Sequence, residues 1–231
     1  EEKDIMLICS NGLHRKNKPD EIKKILGEEI FNRFYPKGQI INHDSEDWEH
    51  LVDLGYEPQF HSKVVINKYV YDADVAFLIG HVQGNPYGGY SGGYKHCATG
   101  ISNWECISAH HCPKVMHRKD FVPVTSHSLM RQKFDAIGEW MEESMGKKFF
   151  TIDAVLDSFS HQIAVFAGYA KLIEPLSWKI ADKRTYVKWA DKKYDIVIFG
   201  LPNDFQYGSR QGRNPILVEQ AISAQIIRLK R

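Results

Sequence analysis

The chain has 231 residues, 43% of them hydrophobic, which is enough to bury one substantial core or two small ones. Thirty basic residues nearly balance 29 acidic ones and leave a formal charge of +1, so the composition favours small-molecule partners over nucleic acid or an anionic membrane. The longest apolar stretches are far shorter than the ~20 residues that span a bilayer, and four cysteines without a signal-like first segment favour a reduced, cytoplasmic protein.

The N-terminal part of the chain predicts a strand, a loop and a helix. Residues 4–10 form an apolar run typical of a buried strand, and Asn11-Gly12 breaks that run. His14 is therefore expected at the C-terminal end of a strand. The helix is predicted to begin at Pro19 and to end near Pro36, with one apolar face formed by Ile22, Ile25, Leu26, Ile30, Phe31 and Phe34.

The next segments alternate between strand and helix patterns. Short buried strands are predicted at 64–66 and 75–80, with a helical turn at 67–74 between them. This alternation predicts an α/β fold with a Rossmann-like, mainly parallel sheet and flanking helices. Ligands of such sheets bind at the C-terminal ends of the strands.

A glycine-rich loop is predicted at 80–100, and loops of this length are usually functional or mobile. The remaining elements follow it. A helix is predicted at 102–111, with Ser102 or Asn103 as its N-cap. The later predictions are a helix at 130–145, strands at 149–156 and 162–167 forming a hairpin, a strand at 194–200, a polar loop at 201–214 and a helix at 215–229.

The loop sequence Asn-Pro-Tyr-Gly-Gly-Tyr-Ser-Gly-Gly-Tyr-Lys at 85–95 is the most informative segment. Its glycines would let the backbone approach a flat or phosphorylated ligand, and Lys95 follows where the loop closes. It is not a phosphate-binding P-loop, because His96 follows the lysine and the glycine spacing differs. An ordinary flexible loop remains an equal alternative from these residues alone.

Two further histidine features have both functional and structural interpretations. His14 is well placed to act as a base on a bound substrate, but on this position alone local capping or packing is the more common role of a single histidine. A cluster of imidazoles and thiols suggests a zinc hydrolase or lyase, but its spacing matches no paired CxxC pattern. The alternative is a surface His-His pair with buried free cysteines; the cluster comprises His96, Cys97, Cys106, His110, His111, Cys112 and His117.

Several short motifs occur in a specific order over roughly residues 4–170. They are Gly-Leu-His-Arg at 12–15, Asn-His-Asp at 42–44, Val-Ile-Asn-Lys at 65–68, Asp-Ala-Asp at 72–74, Gly-Tyr-Ser-Gly-Gly-Tyr-Lys at 89–95, and a histidine sixteen residues after that lysine. In this order the chain resembles the nickel-pincer lactate racemase family and its relatives that act on other 2-hydroxy acids. The resemblance implies an isomerase, a racemase or epimerase of 2-hydroxy acids.

The resemblance also implies a cofactor site. Lys95 would form a thioamide to a pyridinium mononucleotide whose two sulfur arms and ring carbon hold nickel, giving a nickel-pincer nucleotide. His111 would supply the fourth ligand, which suits Ni(II) because a neutral imidazole completes a square of donors. The residues expected to line the cofactor are Gly89, Ser91, Gly92 and Gly93.

His14 would be one of two family histidines that take the proton of the substrate hydroxyl while hydride moves from carbon to the cofactor. The second histidine is expected ten residues before Lys95, where this chain has Asn85. Asparagine can orient a substrate but cannot act as a general base. His81 or Tyr87 could replace it, or the substrate could be positioned differently.

The substrate expectation rests on further departures from the family. Leu217 and Gln220 stand where a glutamine and a lysine are expected, and the loop at 204–215 is longer. These differences favour a larger 2-hydroxy acid, such as a sugar acid, over lactate. The candidate substrate-binding residues are Arg15, Tyr87, Arg210 and Arg213.

The expected domain organisation is a cofactor-binding catalytic domain at 1–190, followed by a strand, loop and helix at 191–231 that lead towards a second α/β domain. The resemblance places a Thr-Arg-Pro stretch before residue 1, which together with the missing initiator Met favours a fragment. Enzymes of cofactor synthesis are the implied partners, with neither nucleic acid nor membrane. The alternative is a non-catalytic α/β module that binds a small molecule, or an apo fragment.

Overall fold

A computed structural model describes residues 1–85, 88–116, 128–157, 159–185, 193–196 and 198. The chain divides into two compact units, residues 1–185 and 186–231. The predicted strand at 194–200 is described only in part. The predicted loop at 201–214 and helix at 215–229 lie outside the described residues.

The first unit contains strands and helices in alternation. Its strands are β1 (Leu7–Cys9), β2 (Ile40–Asn42), β3 (Leu51–Tyr56), β4 (Lys63–Asn67), β5 (Ala76–His81), β6 (Gly84–Asn85), β7 (Gly89–Tyr90), β8 (Phe149–Leu156) and β9 (Gln162–Tyr169). Its helices are α1 (Pro19–Leu26), α2 (Glu28–Phe34), α3 (Lys68–Asp72), α4 (Trp104–Ser108), α5 (Pro113–Met116), α6 (Leu129–Met145) and α7 (Ala170–Thr185), with a π-helical turn at His96–Gly100.

The sheet pairing is mixed, so the prediction of a Rossmann-like, mainly parallel sheet is wrong. β1 pairs with β2 and β5 pairs with β8 in parallel, but β3 pairs with β4, β6 with β7, and β8 with β9 in antiparallel fashion. The short connection between β8 and β9 explains part of the difference, since parallel neighbours need a crossover of a dozen or more residues. The α/β alternation itself is confirmed.

The helix predicted from Pro19 to Pro36 is interrupted at Gly27. This glycine has φ +83° and ψ 160°, a backbone conformation that ends α1 and starts α2. The predicted hairpin at 149–156 and 162–167 is confirmed as β8 and β9. The sequence did not predict α7, whose pattern is interrupted by Pro175, or the hairpin β6–β7 inside the glycine-rich loop.

The main core lies between α6 and the strands that precede the loop. Phe134, Ile137 and Met141 of α6 are fully buried, as are Val64 and Ile66 of β4. Burying each such side chain contributes about 1.5–3 kcal/mol. Cys97 and Ala98 join the same cluster, so this core holds the π-helical turn that follows Lys95.

Candidate functional site

A cleft of about 180 Å³ opens at the C-terminal end of β5. Its position agrees with the general rule for ligand sites in α/β folds. It is lined by residues from three segments of the chain, namely Ser10, His81, Ser91, Gly92, Lys95, His96, Thr99 and Gly100.

Lys95 lies in this cleft immediately before the π-helical turn. Its backbone N–H donates to the Gly92 carbonyl over 3.2 Å, and its own carbonyl accepts the hydroxyl of Thr99 over 2.6 Å. Burial, assisted by the charge of Arg131, lowers the pKa of Lys95 to about 8. A lysine with such a pKa presents a substantial fraction of neutral, nucleophilic amine near neutral pH.

Glycine is needed before Lys95 because buried carboxylates of the protein pack directly against the loop backbone. Gly93 has φ +55°, and a Cβ there would lie 2.0 Å from Glu174 Oε1. Its N–H donates to Asp153 Oδ2 over 2.8 Å, and the N–H of Tyr94 donates to Glu174 Oε1 over 3.3 Å. Two carboxylates from distant parts of the sequence therefore fix the loop backbone that presents Lys95.

Glu174 is itself held by a buried ion pair with Arg131. The guanidinium donates to the Glu174 carboxylate, and its Nε donates to Asp135 over 3.0 Å. Arg131 is fully buried, and burial raises the pKa of Glu174 to about 7. Removing one member of such a pair leaves an uncompensated buried charge, which is strongly destabilising.

His96 contacts a buried carboxylate at the edge of the cleft. Its Nε2 lies 3.0 Å from Asp153 Oδ1, and Asp153 is 1% exposed. Asp153 thus binds both the loop backbone at Gly93 and the imidazole at the edge of the cleft.

His110 and His111 form a hydrogen-bonded pair whose tautomers can be assigned. His110 Nε2 lies 2.9 Å from the Ala98 carbonyl, which can only accept, so Nε2 carries the proton. Burial lowers the pKa of His110 well below its usual value, and the ring is neutral. Its Nδ1 must then accept from His111 Nδ1, 2.7 Å away. The Nε2 of His111 is left with its lone pair.

His14 and His111 both lie within electrostatic reach of Lys95. Burial lowers the pKa of His14, and burial lowers that of His111 to about 4; the charge of Lys95 is the second cause in each case. The segment of His14 contacts the π-helical turn, since the N–H of Gly12 donates to the Gly100 carbonyl over 3.0 Å. The structure thus brings the predicted base, lysine and ligand into one region.

Other predicted site residues have different surroundings. The side chain of Asn85 accepts a hydrogen bond from the N–H of Gly88 over 2.9 Å, which closes the turn of the loop. Arg15 forms a salt bridge with Glu21 at the start of α1. Tyr87, Arg210 and Arg213 lie outside the described residues.

The histidine and cysteine cluster gives no support to the zinc interpretation. Cys97 and Cys106 are fully buried, and burial raises the pKa of Cys106 to about 12, so its thiol stays protonated. Within the described ranges, no group of three or more His, Cys, Asp and Glu side chains could hold a metal ion. His117 lies outside those ranges.

Sequence reasoning missed the acidic residues that organise the site. Asp153 lies within the apolar strand pattern of β8. A carboxylate in such a strand needs a buried partner, and this could have marked Asp153 as part of a site. Glu174 had no comparable signal, because α7 itself was not predicted. None of the described helices is both long enough and apolar enough to cross a membrane.

Comparison with known proteins identifies relatives of the chain. A family model described as the lactate racemase N-terminal domain matches residues 1–122. The lactate racemase of Thermoanaerobacterium thermosaccharolyticum is 24% identical over 168 residues, covering 73% of this chain and 37% of the relative. The lactate racemase of Lactiplantibacillus plantarum is 27% identical over 164 residues, covering 71% and 37%. The chain thus spans little more than a third of these relatives.

Solved structures agree on the fold. The lactate racemase apoprotein from T. thermosaccharolyticum superposes with a TM-score of 0.68 at 22% identity, covering 78% of this chain and 41% of that one. A Thermotoga maritima protein gives a TM-score of 0.66 at 20% identity, covering 81% and 48%. The family match extends over more than half of the chain and includes His14, Lys95 and His111. The chain belongs to the lactate racemase N-terminal domain family.

Proposed function

We propose that this chain carries the cofactor-binding and proton-transfer part of a racemase or epimerase of 2-hydroxy acids. The observation that carries the proposal is that Lys95 lines the cleft and that His14 and His111 both lie within electrostatic reach of it. The charge of the lysine contributes to the lowered pKa of both histidines. Family membership supports the reaction class, and the two relatives compared above are lactate racemases.

The side chains present fit a nickel-pincer nucleotide. A pKa of about 8 makes the Lys95 amine available for a covalent thioamide link. The His110 contact leaves His111 Nε2 as the donor nitrogen, and neutral imidazole is a suitable ligand for Ni(II). When bound, the cofactor supplies the acceptor for the hydrogen on the substrate carbon. In the cell, separate cofactor-synthesis enzymes are the expected partners.

His14 acts as the base for the substrate hydroxyl. Its lowered pKa keeps the imidazole neutral at pH 7, the form that accepts a proton. Proton transfer by a positioned base contributes typically ~10²–10⁴ in rate. The substrate carboxylate requires a cation: Arg15 is engaged with Glu21, while Arg210 and Arg213 remain candidates.

The substrate is proposed to be larger than lactate, in keeping with the longer polar segment before residue 215. The test uses protein co-expressed with the cofactor-synthesis enzymes and incubated with single enantiomers of lactate and of sugar acids. Chiral chromatography follows the appearance of the opposite configuration. We expect a sugar acid to be converted faster than lactate, and fastest turnover of lactate would contradict this part of the proposal.

His14→Gln provides the matched variant for the proton-transfer role. Glutamine retains hydrogen bonding but cannot act as a base, so we expect racemisation to fall at least a hundredfold. The cofactor adduct on Lys95 should persist. A variant that keeps full racemisation would remove His14 from the mechanism, whereas absence of both adduct and turnover in the unsubstituted protein would favour a non-catalytic binding module.

A further inference from the structure

We infer that His96 is the second proton-transfer base of the cleft, and that Asp153 is the residue that positions it. This inference rests on the proposed racemase function. The family's second catalytic histidine is expected at the position that Asn85 occupies in this chain. The inference gives that role to His96 instead.

A racemase needs a proton acceptor for each enantiomer, because the two hydroxyl groups approach the cleft differently. The amide side chain of Asn85 cannot accept a proton as a general base. It is also committed to the loop, since its side-chain oxygen accepts the N–H of Gly88 over 2.9 Å. A second base must therefore come from another residue of the cleft.

The contacts of His96 define which of its nitrogens is basic. Asp153 is almost completely buried, and its Oδ1 accepts from His96 Nε2 over 3.0 Å. The other carboxylate oxygen accepts the N–H of Gly93 over 2.8 Å. With its proton on Nε2, the neutral imidazole carries its lone pair on Nδ1. A base oriented by a buried carboxylate is a recurring catalytic arrangement.

The protein also makes space for this ring at the cleft. A Cβ at residue 80 would lie 2.2 Å from His96 Cε1, so the ring occupies the volume that glycine leaves open. The His96 side chain is 19% exposed and lines the cleft beside Lys95. Since Nε2 points towards the buried Asp153, Nδ1 points away from it.

His81 lines the same cleft and is the competing candidate. Asp153 makes its hydrogen bond to His96, whose tautomer is thereby defined. We therefore assign the base to His96 and compare its variant with that of His81.

The proposed step balances as an oxidation followed by its reversal. From one enantiomer, the hydroxyl proton passes to His96 Nδ1, and a bound nickel-pincer nucleotide would accept the hydrogen on carbon together with its two electrons. The substrate becomes a 2-oxo acid and His96 an imidazolium. His14 performs the same proton transfer for the other enantiomer. Return of hydride to the opposite face would complete the inversion, with water supplying the proton of the new hydroxyl through His14 while the His96 imidazolium releases its proton to water, so that both imidazoles end neutral.

The first test needs only the chain, labelled with ¹⁵N-histidine and studied by long-range ¹H–¹⁵N NMR at pH 7. We expect His96 to be protonated at Nε2, with the signal assigned by its loss in His96→Gln. In Asp153→Asn the amide oxygen should stay with the Gly93 N–H, so the NH₂ group faces Nε2 and the tautomer reverses. A wild-type ring protonated at Nδ1, or an unchanged tautomer in Asp153→Asn, would overturn the inference.

The second test measures 2-oxo acid formed from each enantiomer in a single turnover of cofactor-loaded protein. His96→Gln and Asp153→Asn should lose one enantiomer at least a hundredfold while the other changes less than about threefold, and His14→Gln should show the mirror pattern. His161→Gln, in the exposed turn between β8 and β9, should leave both unchanged, whereas a loss confined to one enantiomer in His81→Gln would overturn the assignment to His96. Equal loss of both enantiomers would show a structural role and contradict the inference. If the unsubstituted protein oxidised neither, the proposed function would fail, while NMR would still decide the tautomer.

Discussion

His43 and His110 are both almost completely buried, but their second ring nitrogens contact different residues. Each donates Nε2–H to a backbone carbonyl, His43 to Ser102 over 2.8 Å and His110 to Ala98 over 2.9 Å. At Nδ1 they differ. His43 accepts from the Asn67 amide, which lies inside the core, whereas His110 accepts from His111.

Under the proposed function, this difference separates a structural histidine from one that supports the chemistry. The His43 contacts end within the core and tie β2 to β4. The His110 contacts fix the tautomer of His111, whose Nε2 is then available near Lys95. Burial and tautomer alone do not reveal the role; the partner at the second nitrogen does.

The largest effect on the free energy of unfolding is expected for the structural histidine, His43. His43→Ala removes both ring contacts, so the Ser102 carbonyl and the Asn67 NH₂ group lose the partner that His43 provides in the core. Each unsatisfied buried group costs about 1–3 kcal/mol, so we expect a loss of at least about 3 kcal/mol in the free energy of unfolding, measured by urea denaturation. Lys16→Ala, which removes a surface salt bridge to Asp44, should cost under about 1 kcal/mol. Equal effects would contradict the comparison.

The second prediction concerns the reactivity of Lys95. Its lowered pKa means that the amine becomes neutral as the pH rises through about 8, whereas an ordinary lysine remains charged until about 10.4. Acylation by a small reagent, followed by peptide mass spectrometry, should show a rate midpoint near pH 8 at this residue. Lys3, an exposed lysine, provides the control. A midpoint above pH 10 at Lys95 would show that the amine is not desolvated.

A smaller effect on stability is expected from His110→Phe. Phenylalanine fills the volume beside Phe134 but removes one hydrogen bond to the Ala98 carbonyl, which still accepts the Ser102 hydroxyl, for a cost of about 0.5–1.5 kcal/mol. The informative readout is the tautomer of His111, which should no longer be held as Nδ1–H and should show protonation at Nε2 in ¹⁵N NMR. An unchanged His111 tautomer would show that His110 does not position it.

The smallest effect is expected from Asn85→Ala. The variant loses one side-chain contact to the Gly88 N–H, so the free energy of unfolding should fall by about 1 kcal/mol. Retention of the Lys95 adduct and of turnover would agree with a turn-forming role. A large loss of turnover with normal stability would instead make Asn85 part of the substrate site.

The sequence predicted the positions of individual site residues better than the contacts that support them. The position of His14 after β1 and that of Lys95 after the glycine loop followed from local patterns, and so did the hairpin of β8 and β9. The mixed pairing did not follow, because strand order depends on contacts between distant segments. The loop glycines were expected to admit a ligand, but at Gly93 the nearest constraint is Glu174 of α7.

The motif at 42–44 shows why resemblance and structure are both needed. The sequence placed His43 among the features shared with the family, without a role. The structure shows that its two ring nitrogens bind Ser102 and Asn67, which belong to other segments and could not be paired from sequence alone. Asp153 likewise acquires its role through Gly93 and His96, about sixty residues earlier in the chain.

The most direct test of the proposed function is intact-protein and peptide mass spectrometry with nickel analysis, after co-expression with the cofactor-synthesis enzymes. Lys95→Arg is compared with Lys133→Arg, a partly buried lysine whose pKa is also lowered by burial. We predict a nickel-containing adduct on Lys95 that is retained in Lys133→Arg and absent in Lys95→Arg. An unmodified, nickel-free chain, or an adduct that persists in Lys95→Arg, would contradict the assignment of Lys95 as the cofactor anchor.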